Sequence, residues 1–294
     1  MTEPRLSFVQ CLDAGGLHRM AYWEWGARDN PRVLVCAHGL SRQGRDFDTL
    51  ARALCGEYRV VCPDVVGRGR SDRLRDPNGY QIPAYVADMV TLLARLDVPS
   101  VHWVGTSMGG LIGMLLAAQA GTPVTRLVLN DVGPTMQFEA LQRIGTYLGV
   151  PQRWPGVQQA ADFLRSISTG FGPHTCEEWL ALSRPMLVHS EGEGGHDPHY
   201  VLHYDPDIAV PFRSITPASA AAGEAVLWAS YDRIVCPTLL LRGADSDLLT
   251  EATALAMAQR GPRAQLHRIA GVGHAPTLVS AEQIDVVKDF LLAP

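Results

Sequence analysis

A serine between two glycines gives the strongest chemical signal in this sequence. Residues 105–109 read GTSMG and match the pattern G-x-S-x-G, between a strand-like apolar run and a helix-like apolar run. In such a strand-to-helix turn, a serine has a strained backbone that pushes its hydroxyl out above the sheet. Glycine is needed at Gly105 and Gly109 because a Cβ there would collide with the neighbouring strand and helix. The pattern favours Ser107 as a nucleophile over an ordinary turn of small residues.

A serine hydroxyl is a weak nucleophile until a neighbouring base takes its proton, so Ser107 needs a histidine. Of the ten histidines, His274 lies in a glycine-containing loop between a strand-like run at 265–269 and the last predicted helix. A loop at the carboxyl edge of a sheet can reach a serine in that turn. The competitor His267 lies within the strand itself and cannot easily move. We therefore predict that His274 is the base.

The base in turn needs a carboxylate, which holds one tautomer and stabilises the imidazolium that forms during reaction. Asp245 and Asp247 both follow the strand-like run that ends at Leu241. We select Asp247, because it directly precedes the turn into a predicted helix at Thr250, and Asp245 remains an alternative. Asp131, at the end of an earlier strand, is a third candidate.

Strand-like and helix-like segments alternate along most of the chain and must position these side chains. The strand-like runs are nearly continuous in apolar residues, which is typical of strands buried on both faces of a parallel sheet. They cover 33–37, 58–62, 101–105, 125–129, 237–241 and 265–269, with helical patterns at 47–54, 82–96, 108–120 and 250–260. The first 25 residues predict an antiparallel hairpin at one edge. The fold class is therefore α/β, a mostly parallel twisted sheet of about eight strands flanked by helices.

The middle of the chain departs from this alternation. Residues 135–230 contain helical patterns near 140–148, 158–166 and 176–182, with no strands expected between them. We predict a helical cap inserted after the sixth strand. The domains are then residues 1–134 and 231–294, which form the sheet domain, and residues 135–230, which form the cap.

Composition excludes several classes of protein. The 294 residues contain 25 basic and 30 acidic side chains, a net charge of −5, and no clustered basic face that would bind nucleic acid. The longest apolar run, 108–118, is too short for a membrane span, and the first residues do not resemble a signal peptide. The six cysteines are scattered without a CxxC pair. We expect reduced thiols and a cytoplasmic protein without nucleic-acid or membrane partners.

Metal and cofactor signals are weak. The cluster His196, Asp197, His199 and His203 stands among glycines and a proline, which favours a solvated loop over a metal site. Residues 67–69 lack the third glycine and the later acid of a dinucleotide fingerprint, and residues 105–110 lack a P-loop lysine. We predict neither a metal nor a cofactor.

The sequence resembles the α/β-hydrolase superfamily over essentially its whole length. The motifs that carry the resemblance are the serine turn, His38-Gly39-Leu40, residues 64–71 and Gly273-His274. The chain order serine, aspartate, histidine is also the order expected of that superfamily.

The resemblance implies two further features of the site. The backbone N–H groups of Leu40, which follows His38 and Gly39, and of Met108 are expected to donate to the oxyanion that forms on the substrate carbonyl. Residues 135–230 are expected to form the lid that covers the active site and selects the substrate.

Together these observations predict a cofactor-independent serine hydrolase that cleaves a small carboxylic ester through an acyl-enzyme on Ser107. The serine at this position also argues against the related dehalogenases and epoxide hydrolases, which use aspartate there. Two alternatives remain. The same triad could hydrolyse a carbon–carbon bond beside a ketone or an enol-lactone, and some members of the superfamily act as non-catalytic receptors for small molecules.

Overall fold

A computed structural model describes residues 3–191 and 197–294. The strands are β1 (Arg5–Asp13), β2 (Gly16–Trp25), β3 (Val33–Ala37), β4 (Arg59–Pro63), β5 (Val101–Thr106), β6 (Val124–Asn130), β7 (Leu187–Ser190), β8 (His199–Leu202), β9 (Thr238–Gly243) and β10 (Gln265–Ile269). Eight of them form a sheet in the order β1-β2-β4-β3-β5-β6-β9-β10. β1 pairs antiparallel with β2, and β2 pairs antiparallel with β4, whereas the remaining pairs are parallel. The predicted α/β fold class is confirmed, and the predicted edge hairpin is present.

Helices cover both faces of this sheet. They are α1 (Asp48–Leu54), α2 (Ile82–Leu96), α3 (Met108–Ala117), α4 (Phe138–Tyr147), α5 (Val157–Ile167), α6 (Cys176–Ser183), α7 (Val210–Arg213), α8 (Pro217–Tyr231), α9 (Glu251–Gln259) and α10 (Ala281–Leu292). Within the described ranges, no helix combines the length and the apolar character needed to cross a bilayer.

Alternation along the central strands divides the core into two layers. On β5, Trp103 packs on the side of α2 and α3, whereas its neighbour Val104 packs on the side of α1 and α10. Successive side chains of a strand point to opposite faces, so a strand between two helical layers must be apolar at every position. β3 is accordingly buried along its whole length. The continuous apolar runs in the sequence have this origin.

Residues 135–230, which lie within the segment that connects β6 to β9, are called the insertion here. Its helices α4, α5 and α6 match the three predicted helical patterns, whereas α7 and α8, which ends one residue beyond this range, were not predicted. It also contains an antiparallel hairpin of β7 and β8. The expectation that this region lacks strands is therefore wrong. Each hairpin strand has only four residues, too few for alternation to stand out in the sequence. His196, part of the weak metal signal, lies outside the described residues.

Candidate active site

Ser107 lies between the end of β5 and the start of α3. Its φ of 51° and ψ of −115° fall in a region that residues with a Cβ rarely adopt. A Cβ at Gly105 would collide with the backbone of Gly109, and a Cβ at Gly109 would collide with the carbonyl of Ala37 on β3. The two glycines therefore allow the tight turn that holds the serine at the carboxyl edge of the sheet.

His274 lies between Ser107 and an acid. Its Nε2 is 3.0 Å from Oγ of Ser107, and its Nδ1 is 2.7 Å from Oδ2 of Asp131. An ionised carboxylate only accepts hydrogen bonds, so Nδ1 donates to Asp131 and Nε2 is left to accept from the serine hydroxyl. The three side chains form one continuous series of hydrogen bonds.

Asp131 directly follows β6 and is fully buried. Its Oδ1 accepts a hydrogen bond of 2.9 Å from the backbone N–H of Gly243, and its Oδ2 accepts one of 2.7 Å from the Ser246 hydroxyl. Its φ of 55° is in the left-handed region, which aspartate tolerates better than most residues. These contacts fix the carboxylate in the orientation that His274 needs.

The predicted acid Asp247 is not in this arrangement. Its carboxylate pairs with Arg143 on α4, and its side chain is 49% exposed. The hydrogen bond from Arg143 is the main cause that lowers the pKa of Asp247. The prediction that Asp247 contacts His274 is therefore wrong, and the third candidate, Asp131, takes that position. β6 and β9 are adjacent in the sheet and end at the same edge, so spacing along the sequence does not distinguish their acids.

Leu40 and Met108, the expected oxyanion donors, lie on either side of the serine. Leu40 lines the same cavity as Ser107, and Met108 is the first residue of α3. The N–H groups in the first turn of a helix have no acceptor within it, so the Met108 N–H is available to a ligand. Arg68 donates from Nε to the Leu40 carbonyl at 2.9 Å, and its Nη2 is 3.8 Å from Sδ of Met108.

The charge of Arg68 is buried without a carboxylate partner. The residue is 1% exposed, and its Nη1 donates to the Val66 carbonyl at 2.7 Å and to the Tyr85 hydroxyl at 3.0 Å. None of the ion pairs found among residues 3–191 and 197–294 includes it. A fixed positive charge in a dry site favours negative charge nearby. Sequence reasoning assigned Arg68 no role, although it lies in the motif at 64–71.

His38 and Asp64 organise the loops around the site. Burial lowers the pKa of His38 to about 3, so its neutral Nε2 accepts from the Val65 N–H at 2.9 Å while Nδ1 donates to the Gly39 carbonyl at 2.7 Å. Burial raises the pKa of Asp64 to about 6, and its carboxylate accepts the backbone N–H of Gly44 at 2.8 Å. Both groups hold backbone in place.

A cavity of about 770 Å³ lies between the sheet edge and the insertion. Its walls include Ser107 and His274 from the sheet domain and residues of α4, α5 and α6 from the insertion. Two ion pairs, Arg42 with Asp46 and Arg143 with Asp247, lie on the walls. The volume is within the usual range of roughly 300–1,000 Å³ for small-molecule sites.

The insertion is hydrogen-bonded to loops of the active site. The Gly170 carbonyl accepts from the N–H of Gly273, next to His274, at 2.7 Å. The Gly69 N–H donates to Nδ1 of His203 at 2.7 Å, and burial holds the pKa of His203 well below its usual value. His203 therefore joins the insertion to the 64–71 loop, and the expectation of a solvated loop is wrong for this residue.

Three side chains of metal-binding type meet away from the cavity. Cys11, His18 and Asp88 are buried, and their potential ligand atoms lie within 4.8 Å of one another. Burial raises the pKa of the Cys11 thiol to about 12, and His18 Nε2 lies 3.0 Å from Oδ2 of Asp88. These residues could hold a metal ion. Their carboxylate and imidazole already pair with each other, so the group also has a purely structural explanation.

Known proteins resemble this chain along its whole length. A 3-hydroxybutyrate-oligomer hydrolase of Cupriavidus necator is 55% identical over 288 residues, which are 98% of each chain. A 2-hydroxy-6-oxo-2,4-heptadienoate hydrolase of Pseudomonas putida is 28% identical, over 100% of this chain and 99% of its own. Among solved structures, an alpha/beta hydrolase of Novosphingobium aromaticivorans has a TM-score of 0.84 at 35% identity, with 99% of both chains covered.

The family model of the alpha/beta hydrolase fold matches residues 32–281. That range contains the serine turn, the loops that surround it and the histidine loop. The hydrogen bonds between strands define the strand order of the sheet independently of this match. This chain therefore belongs to the α/β-hydrolase fold family.

Proposed function

We propose that this protein is a serine esterase in which Ser107, His274 and Asp131 form the catalytic triad. The observation that carries the proposal is the unbroken series of contacts from Asp131 through His274 to Ser107, at 2.7 and 3.0 Å. His274 takes the serine proton as Oγ attacks the ester carbonyl, and Asp131 stabilises the imidazolium. His274 then gives the proton to the departing alcohol. Water repeats the sequence on the acyl-enzyme and releases the acid.

The Leu40 and Met108 N–H groups are the proposed donors to the tetrahedral oxyanion. Arg68 supports this assignment because it holds the Leu40 peptide by its carbonyl. Its buried guanidinium also lies 3.8 Å from Sδ of Met108, the residue of the second proposed donor. Preorganised donors and charges of this kind commonly supply the largest part of the catalytic effect.

We propose short 3-hydroxybutyrate oligomers as the substrate class. The support is the Cupriavidus necator relative of that name, at 55% identity over nearly the whole chain. Units in such oligomers are joined by carboxylic esters, which suit the chemistry of this triad. The cavity also has room for more than a single small acid.

The insertion is the proposed lid, with 135–230 as its boundaries and 1–134 and 231–294 as the sheet domain. Residues of α4 to α6 line the cavity, which supports a role in substrate selection. A cytoplasmic location is part of the same proposal. Its support is that all six cysteines are free thiols.

The carbon–carbon hydrolase alternative has one specific observation in its favour, the Pseudomonas putida relative at 28% identity. Its identity to this chain is about half that of the oligomer hydrolase. A direct comparison of 2-hydroxy-6-oxo-2,4-heptadienoate with the 3-hydroxybutyrate dimer, at equal concentration, separates the two activities. We expect turnover of the dimer to dominate.

The experiment that tests the proposed function measures release of 3-hydroxybutyrate from the linear dimer and trimer, with wild type beside Ser107→Ala. We expect turnover that Ser107→Ala abolishes, together with phosphonate labelling of the wild type alone. No turnover of any ester, combined with a ligand-induced rise in Tm, would instead support the receptor alternative. Labelling that persists in Ser107→Ala would assign the nucleophile to another residue.

A further inference from the structure

Arg143 is a cation on the cavity wall whose ionic partner is a half-exposed carboxylate. Its Nη1 donates to Oδ2 of Asp247, and the two side chains are 55% and 49% exposed. Within the described part of the chain it donates to no other acceptor. A guanidinium has five N–H donors in a planar fork, so most of them remain available to a ligand.

The other arginine on the cavity wall is more buried and makes more hydrogen bonds than Arg143. Arg42 donates from Nε and Nη2 to the two oxygens of Asp46 at 2.6 and 2.7 Å, and Nη2 also reaches the Leu182 carbonyl at 3.1 Å. Its side chain is only 13% exposed. Of the two arginines among the described residues that line the cavity, Arg143 is therefore the one with the greater exposure and more unused donors for an anion.

Arg143 also lies on the side of the cavity that contains the reacting groups. The N–H of Asp245 donates to the Val272 carbonyl at 2.9 Å, so the loop that carries Asp247 packs against the loop that carries His274. Arg143 contacts Asp247 and therefore lies beside this pair of loops on the cavity wall. A short ligand can thus contact Arg143 while one of its esters lies at Ser107.

We propose that Arg143 binds the free carboxylate of an ester oligomer and so presents the carboxyl end of the chain to Ser107. This inference rests on the proposed function and states in which direction the oligomer binds, with its carboxyl end at Arg143. A linear 3-hydroxybutyrate oligomer has a single carboxylate, and a guanidinium recognises that group through two parallel hydrogen bonds. Asp247 holds the guanidinium at the cavity wall, and the substrate carboxylate competes with it.

The direction in which the oligomer binds decides which fragment leaves first. Oγ of Ser107 forms a bond to the carbonyl carbon of an ester near the carboxyl end, and the ester C–O bond breaks. The fragment that Arg143 holds departs as the alcohol and takes its proton from His274. Water then cleaves the acyl-enzyme and releases the remaining chain with a new carboxylate. That carboxylate is the group that Arg143 recognises in the next cycle.

The test compares the linear trimer as the free acid with its methyl ester at pH 7.5, in four variants and the wild type. We expect the kcat/KM of the wild type to be at least tenfold higher for the acid than for the methyl ester, because its KM for the acid is lower. Arg143→Gln should bring the ratio of acid to methyl ester close to one, and Arg143→Lys should restore part of it. Asp247→Asn should raise the ratio, because a competing carboxylate is removed. Arg165→Gln, an exposed arginine of α5 outside the cavity, is the matched control.

The outcomes separate this inference from the function on which it rests. Hydrolysis of acid and methyl ester with equal kcat/KM in the wild type would overturn the role of Arg143 and leave the esterase intact. An equal loss of kcat/KM on both substrates in Arg143→Gln would also overturn the role of Arg143, since only packing would then have changed. A wild type that cleaves neither trimer would contradict the proposed substrate class, and the inference with it.

Discussion

The Nε of Arg68 lies 2.9 Å from the carbonyl oxygen of Leu40, and this contact restrains the loop that carries one of the two proposed oxyanion donors. A peptide group is planar, so a hydrogen bond that fixes the Leu40 oxygen also fixes the N–H of Ser41, the next residue. The Leu40 oxygen belongs to the peptide that follows Leu40, and its position restrains the loop from which the Leu40 N–H points. Arg68 is accordingly a positioning residue with a buried charge beside the site.

Replacement of Arg68 by Met should lower kcat about 10- to 100-fold on p-nitrophenyl acetate, with a smaller change in KM. Complete loss of an oxyanion donor costs about 2.7–4 kcal/mol, and an indirect effect should be smaller. Arg68→Lys keeps the charge and should recover part of kcat. A similar fall in kcat and in Tm for both variants would indicate a role in folding alone.

Asp131→Asn should lower kcat by about 10⁴-fold, because the amide favours the wrong tautomer of His274. Asp247→Asn should cause a far smaller loss on the same small ester, since this carboxylate does not contact His274. Steady-state kinetics of the two purified variants, with folding checked by circular dichroism, makes the comparison. The reverse ranking would restore Asp247 as the acid and contradict the assignment made from geometry.

Gly170→Ala should lower kcat about three- to tenfold. A Cβ at this position would lie 3.0 Å from the carbonyl oxygen and 3.1 Å from the nitrogen of His274, so the histidine loop must move by a few tenths of an ångström. Small displacements of a catalytic group have large effects on rate. Gly223→Ala in α8, where a Cβ meets open space, is the matched control and should keep kcat. Equal kcat in both variants would show that the insertion does not position His274.

His102→Gln should reduce the loss of stability on acidification. Burial lowers the pKa of His102 to about 4, whereas the unfolded chain has the ordinary value of about 6.5. Between these values the unfolded state binds one more proton, so the free energy of unfolding falls as pH falls. The slope for one proton is about 1.4 kcal/mol per pH unit.

Urea unfolding at pH 7.0, 6.0 and 5.0 measures this effect. As pH decreases, the free energy of unfolding should fall more steeply for the wild type than for His102→Gln. His102 donates to the Tyr58 hydroxyl at 2.9 Å, so the variant loses some stability at pH 7 as well. A difference that stays constant over this range would mean that His102 does not carry the proton linkage.

The sequence predicted the sheet because its central strands are buried on both faces, as Trp103 and Val104 on β5 illustrate. It located Ser107 and His274 because each lies beside glycines at a strand end, which is a local pattern. No local pattern identified the acid. Asp131 and Asp247 follow neighbouring strands, and only the path of the loop decides which one reaches the imidazole of His274. Arg68 was missed because its contacts with Leu40, Tyr85 and Met108 join residues that are distant in sequence.

The position of Asp131 at the end of β6 has a consequence for how this protein can change. Ser246 and Gly243 are tied to Asp131, but Asp245 and Asp247 are exposed and contribute nothing to its orientation. In the loop after β9, the buried Ser246 is thus fixed, whereas the exposed side chains on either side of it, Asp245 and Asp247, tolerate substitution. Laboratory evolution toward esters with other end groups should begin at Asp245, Asp247 and the facing Arg143, where new sequences alter recognition and spare the reacting atoms.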